Sequence, residues 1–151
     1  RIQVVCGCNP YMISSREVTA TTVANYIEGN YIFEVEIEGN KNYFMSLSEA
    51  VDYAPTTSVL ATIRLLYDNA TDYDIEITEE KNIILDFNSK KFYLNAILKN
   101  NGMLSFKDEY SDNLSYIKRI ENNGFGNLSF NGANIEVIEI YNNLQDELSV
   151  T

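Results

Sequence analysis

The most regular feature of the chain is a triplet with an apolar residue on each side of a polar or charged one. It recurs as Ile63-Arg64-Leu65, Leu85-Asp86-Phe87, Leu104-Ser105-Phe106, Leu128-Ser129-Phe130 and Leu148-Ser149-Val150, with successive copies starting 22, 19, 24 and 20 residues apart. Side chains alternate between the two faces of a strand, so the outer pair of each triplet points one way and the middle residue the other. Recurrence at this spacing predicts a solenoid in which Leu65, Phe87, Phe106, Phe130 and Val150 form one hydrophobic column, each roughly 4.8 Å from the next.

Two further short apolar series run between the triplets. Phe92 and Leu94, Leu114 and Tyr116, and Ile135 and Val137 form one; Ile97, Ile120 and Ile140 form the other, with Ile75 and Ile77 as its first member. Asn100-Asn101-Gly102, Asn122-Asn123-Gly124 and Asn142-Asn143 each precede a triplet by a few residues. Asn and Gly tolerate the left-handed backbone of a sharp corner, and stacked Asn amides can hydrogen-bond from turn to turn. The expected architecture is therefore all-β, a parallel β-helix with three strands per turn, and right-handed as parallel crossovers generally are. The longest corner is expected at Lys107 to Asn113, against its counterpart Asn88 to Lys91.

Ahead of the repeats, Ser46-Leu47-Ser48-Glu49 is a capping-box pattern. Leu47, Ala50, Val51 and Ala54 follow at helical spacing before Pro55, which predicts one short amphipathic helix covering the open first turn. Tyr31 to Glu38 alternates as a strand, and Gly39-Asn40-Lys41-Asn42 reads as a turn into Tyr43, Phe44 and Met45, so a hairpin is expected. The chain divides on this reading into an N-terminal β segment or linker, 1–45, and a capping helix with β-helix rungs, 46–151.

Composition narrows the function classes. The net charge of −11 repels nucleic-acid phosphate and anionic membranes, so neither nucleic-acid binding nor membrane insertion is expected; no run approaches the roughly 18 apolar residues of a spanning helix. There is no His, which removes the commonest general base and transition-metal ligand. The chain starts at Arg1 without Met and reads as a processed chain or a fragment.

Several residue groups are candidates for chemistry. Asp68, Asp72 and Asp74 place several oxygens in one short loop that could hold Ca²⁺, at a spacing unlike an EF-hand, against the plainer reading of a solvated acidic corner. Arg64, pointing outward, could reach this acid cluster, against the plainer reading of a surface ion pair. Tyr110, Asp112 and Asn113 in the longest corner, with Tyr116 beside it, offer stacking and hydrogen bonding to a sugar, against a tolerated polar insertion. Cys6 and Cys8 could ligate a metal or cross-link subunits, against two ordinary thiols near a chain end. Asn69-Ala70-Thr71, Asn113-Leu114-Ser115 and Asn127-Leu128-Ser129 match the glycosylation pattern by chance in an Asn-rich chain, with Leu114 and Leu128 expected inside.

The run Tyr43-Phe44-Met45-Ser46-Leu47-Ser48-Glu49-Ala50-Val51, then Ile63-Arg64-Leu65-Leu66, then Lys81-Asn82-Ile83-Ile84-Leu85-Asp86-Phe87-Asn88-Ser89-Lys90-Lys91-Phe92, resembles the start of pectate-lyase-like β-helix domains of bacterial surface proteins. Ser89 stands where that motif usually has Gly. The resemblance covers roughly Tyr43 to Thr151 and implies a secreted or cell-surface protein with a structural, adhesive or assembly role. A glycan or a cell-surface protein is the implied partner, and no cofactor is expected beyond the possible Ca²⁺. The competing expectation on the same scaffold is a lyase or hydrolase of acidic polysaccharide. The last turn is expected to be covered by further rungs or by another subunit.

Overall fold

The computed structural model describes residues 31–109 and 113–144. Cys6, Cys8, Tyr110, Asp112, the segment up to residue 30 and the triplet Leu148-Ser149-Val150 lie outside the described residues. The described residues open with strands β1 (Phe33–Ile37) and β2 (Asn40–Phe44), followed by helix α1 (Leu47–Tyr53). Then come β3 (Leu60–Leu65), β4 (Asn69–Thr71), β5 (Ile75–Ile77), β6 (Asn82–Asp86), β7 (Phe92–Asn100), β8 (Met103–Lys107), β9 (Ser115–Gly124), β10 (Asn127–Asn131) and β11 (Ile135–Leu144).

These strands form two sheets of a β-solenoid of about four turns. One sheet has the order β10-β8-β6-β3-β1-β2; the other runs β11-β9-β7-β4, with β5 also paired to β7. From β3 onward every pairing is parallel. β1 joins β2 and β3 antiparallel, so the hairpin is the edge of the first sheet. Its turn is Glu38-Gly39, both at positive φ, the two-residue connection whose twist suits a hairpin. Asn40, Lys41 and Asn42, expected in the turn, are instead paired in β2.

The inward columns are apolar. Ala61, Ile83, Leu104 and Leu128 form one, and Ile63, Leu85, Phe106 and Phe130 the next. This corrects the expected column, because Phe106 sits opposite Leu85 rather than Phe87. The slip is two residues, and since strand side chains repeat every two, inside stays inside. Phe87, just past β6, is fully buried and still meets Phe106, with ring centroids 6.0 Å apart, and Phe92 at 5.4 Å.

In the second sheet, Leu94, Ile117 and Val137 share a column, as do Ile75, Leu98, Ile120 and Ile140. Leu98, not Ile97, is the inward member. β9 is one residue out of phase with expectation: Ser115 and Ile117 are inside, and Leu114 is exposed. Ser115 is tolerated inside because its Oγ accepts the Phe92 N–H at 3.1 Å. Sequence alone favoured Leu114 for its hydrophobicity, but the pairing of Tyr93 with Tyr116 sets the phase.

Helix α1 forms where expected. Ser46 caps it, accepting the Glu49 N–H at 3.2 Å, and Leu47, Ala50 and Val51 are buried in the solenoid core. The helix C-terminus is sealed by a residue that sequence reasoning passed over. Lys81 is buried and its Nζ donates to the carbonyls of Val51 (2.5 Å) and Asp52 (3.4 Å), satisfying acceptors a helix end leaves open. Burial pushes the Lys81 pKa below its ordinary value, against the favourable charge of Asp52.

Burial of the inward columns falls away at the last described turn. Phe106 is fully buried, whereas Phe130 is 44% and Ile140 50% exposed. Phe106→Ala should therefore cost about 3–5 kcal/mol of stability and Phe130→Ala about 1 kcal/mol, measured by urea unfolding. Lys81 gives a second expected outcome. Its folded pKa lies below its unfolded one, so between the two the unfolded chain holds a proton the folded chain has released. The Lys81 contribution becomes more favourable as pH rises through that window. The stability of the parent chain relative to Lys81→Met should thus increase between neutral pH and the ordinary lysine value of 10.5, read from paired denaturation curves.

Candidate functional site

Three kinds of surface could carry function: the outer faces of the two sheets, the corners between strands, and the column of inward amides. The inward amides are the most ordered. Asn100, Asn122 and Asn142 stand in register, one turn apart. Asn100 Nδ2 donates to Asn122 Oδ1 at 2.8 Å and Asn122 Nδ2 to Asn142 Oδ1 at 3.0 Å. The same nitrogens also reach corner carbonyls, Asn127 O at 3.1 Å and Gly126 O at 3.1 Å. Asn100 Oδ1 accepts the Gly102 N–H. Asn100 and Asn122 are buried, and this ladder satisfies their donors. The Asn runs pointed to it, although Asn122, Asn123, Asn142 and Asn143, expected at corners, are paired within β9 and β11.

The first sheet carries a row of alternating charge on its outer face. Glu34, Arg64, Asp86 and Lys107 are cross-strand partners in turn. Arg64 NH1 lies 2.8 Å from Glu34 Oε1 and its Nε 3.1 Å from Asp86 Oδ2; Lys41 and Lys107 flank the row at 3.6 and 3.9 Å. The Glu34 and Asp86 side chains are only 9% and 6% exposed. Burial works against the Arg64 charge, but the hydrogen bond and charge of Asp86, then those of Glu34, outweigh it and raise its pKa. The acids Arg64 reaches are thus Glu34 and Asp86. Further along, Ser105 Oγ and Ser129 Oγ are 3.2 Å apart and Asn131 Nδ2 donates to Ser105 Oγ at 2.6 Å.

On the second sheet's outer face, Tyr93 and Tyr116 are partners on adjacent strands, with Tyr93 exposed. Arg119 bonds Glu139 at 2.6 Å and Glu121 at 3.5 Å, and its guanidinium lies 4.7 Å over the Tyr141 ring. The hydrogen bond to Glu139 is the main cause of its raised pKa.

Two of the three predicted loop acids, Asp68 and Asp74, take up backbone roles. Asp68 Oδ1 accepts the Lys91 N–H at 2.8 Å, and Asp74 Oδ1 the Ile97 N–H at 3.0 Å. Asp74 stands at the break between β4 and β5, where the first turn has no strand to meet β7. Its carboxylate supplies the acceptor that a continuous strand would have offered. Asp72 is exposed. Among the described residues no group of three His, Cys, Asp or Glu side chains is placed to hold a metal ion, so the structure does not assemble Asp68, Asp72 and Asp74 into one.

Asn113, expected at a ligand surface, fastens a corner: its Nδ2 donates to Ser89 O at 2.5 Å. Asp108 Oδ1 accepts the Ser89 N–H at 2.9 Å. Ser89 is therefore clasped on both sides of its backbone, which accounts for a non-glycine residue at φ 62° in the position where the resembling motif has Gly. Asp108 is buried, and its Oδ2 has no hydrogen-bond partner among the described residues. Of the glycosylation-pattern residues, Thr71 is buried with its Oγ1 on Asn69 Oδ1 at 2.7 Å, and Leu128 is half-buried at the end of its column.

Comparison with protein-family models, curated proteins and solved structures gives no match to this chain. The β-solenoid architecture stands on the strand pairing. Among the described residues no helix is long and apolar enough to cross a membrane.

The charge row yields a direct expectation. Arg64→Met leaves the nearly buried Glu34 and Asp86 with only the more exposed Lys41 and Lys107, at 3.6 and 3.9 Å, and should cost about 1–3 kcal/mol, below a fully buried pair because Arg64 is itself 28% exposed. Arg119→Met, on an exposed cluster, should leave stability nearly unchanged. Chemical denaturation of both variants checks the contrast.

Proposed function

We propose that this chain is a non-enzymatic structural or adhesive module of a secreted or cell-surface protein. It is read as a right-handed parallel β-helix of the pectate-lyase-like kind with three strand segments per turn. The observation that carries the functional reading is where the reactive side chains go. Arg64, Asp68, Asp74, Asp86, Asn113 and the Asn100 and Asn122 amides all bind neighbouring turns or corners. Groups held this way stabilise a shaft rather than poise a reaction.

The three-segment reading draws on a bend that recurs at one height. The break between β4 and β5 at 72–74 lies level with 95–97 of β7 and with the register irregularity between Ile117 and Arg119 in β9. Right-handedness follows from the general preference of parallel crossovers.

Contact with a partner would fall on the outer face of the second sheet. Tyr93 and Tyr116 lie side by side on adjacent strands there, and Tyr141 is exposed two turns beyond Lys99. Flat aromatic rings on neighbouring strands suit stacking against the apolar face of a sugar ring. The Ca²⁺ reading of the Asp72 loop belongs to the competing polysaccharide lyase, and one experiment separates the two.

The protein is offered immobilised neutral and acidic glycans, and acidic polysaccharide in solution with and without Ca²⁺. Retention on a glycan without turnover is expected, and a Tyr93→Ala, Tyr116→Ala pair should weaken it roughly tenfold, since each aromatic contact contributes about 0.5–1.5 kcal/mol. Polysaccharide cleavage that disappears in Asp72→Asn or Asp74→Asn would replace this reading with the enzymatic one.

A further inference from the structure

Three asparagines of the chain are followed directly by glycine: Asn101-Gly102, Asn123-Gly124 and Asn131-Gly132. Asn-Gly pairs share an intrinsic reaction. The glycine backbone nitrogen attacks the asparagine Cγ, an N–Cγ bond forms, the Cγ–Nδ2 bond breaks, and ammonia leaves carrying the proton that the N–H gives up. Water then opens the five-membered imide at either carbonyl, giving aspartate or isoaspartate. No oxidant or cofactor is needed. Glycine favours the reaction because no Cβ obstructs the approach of its nitrogen.

The fold puts the three pairs in different settings. The Gly102 N–H already donates to Asn100 Oδ1 at 3.2 Å. Gly102 is also wedged between turns, where a Cβ would lie 2.6 Å from both Lys81 O and Thr78 O. Its nitrogen cannot swing toward Asn101. Asn123 and Gly124 are both paired within β9, opposite Asn143 and Leu144, and the Asn123 amide is held by Asn143 Nδ2 at 3.0 Å and, more weakly, by Glu121 O at 3.5 Å.

Asn131 and Gly132 are different. Gly124 and Gly132 both have positive φ, 60° and 76°, and open space around Cα, but Gly124 is still inside β9 whereas Asn131 ends β10 and Gly132 has left the strand. Asn131 and Gly132 are both exposed. Among the described residues the Asn131 amide is held by two half-buried serine hydroxyls, as donor to Ser105 Oγ at 2.6 Å and as acceptor from Ser129 Oγ at a long 3.4 Å. A hydrogen bond from Ser129 to Oδ1 draws electron density from Cγ, the atom attacked.

We propose that Asn131 is a site of spontaneous deamidation in the folded protein, and that the amide ladder and its corners protect Asn101 and Asn123. The charge row receives the product. Asn131 is the cross-strand partner of Lys107, the last cation of the sequence Glu34, Arg64, Asp86, Lys107. An aspartate at 131 adds an anion where the alternation calls for one. Isoaspartate adds the same charge as the former main-chain carboxyl, and its chain, now running through Cβ and Cγ, is lengthened by one carbon at the strand end.

The test is a time course of the folded protein at mildly alkaline pH, followed by peptide mapping with mass spectrometry. The Asn131 peptide should exchange its amide NH2 for OH roughly tenfold faster than the other two, whose reaction requires local opening. In urea the three rates should converge. Equal rates in the folded protein, or an Asn131 peptide that stays intact while the unfolded chain converts, would overturn the assignment. Asn131→Asp should keep the unfolding midpoint of the parent; a clear fall would overturn accommodation of the product by the charge row.

Discussion

A buried carboxamide has two donors and an acceptor oxygen to satisfy, and at one inward position of this solenoid the same demand repeats turn after turn. Asn100, Asn122 and Asn142 meet it by bonding to one another and to corner carbonyls. This works only if successive turns hold a fixed register, because a displaced turn would leave a buried amide unpaired at about 1–3 kcal/mol. The amide ladder therefore ties the height of every neighbouring residue to its own. Apolar columns tolerate sliding far better, since hydrophobic burial has no direction.

With register fixed, the remaining features follow by position. Gly126 lies where a Cβ would come within 2.6 Å of Asn122 Oδ1, so the corner after β9 has to be glycine to admit the ladder. Phe87, Phe92, Phe106 and Phe130 stack inside at centroid separations of 5.2 to 6.0 Å. Outside, the same register brings Arg64 between Glu34 and Asp86. One repeated spacing thus generates an amide row, an aromatic stack and a charge row, on three different faces.

Much of this was legible in the chain. The triplets gave the parallel strands and the inward face, the Asn runs gave the ladder, and Ser46 and Glu49 gave the helix cap. Less visible was anything set by partners distant in sequence. Periodicity could not separate Phe87 from Leu85 as the neighbour of Phe106, because both satisfy the same alternation. Leu114 outranked Ser115 on hydrophobicity, although Ser115 is inside with its hydroxyl on a backbone N–H. Lys81 gave no signal, since a lysine beside three polar residues reads as solvent-exposed until a helix end is laid over it. The acids of the Asp68 to Asp74 loop read as ligands because composition shows oxygen atoms but not the N–H groups waiting for them. The positive φ of Ser89 is held by partners some twenty residues downstream, Asp108 and Asn113, which local sequence does not reveal.

The two-residue offset between β6 and β8 also says something about how such a chain can change. Deleting or duplicating a pair of residues at a corner moves a strand along its neighbour without turning it over, so greasy and wet sides keep their places. A single-residue change would invert an entire strand. Descendants of this sequence should therefore vary in loop length by even steps on the strand that lacks the amides, while the corners feeding the amide row keep their length.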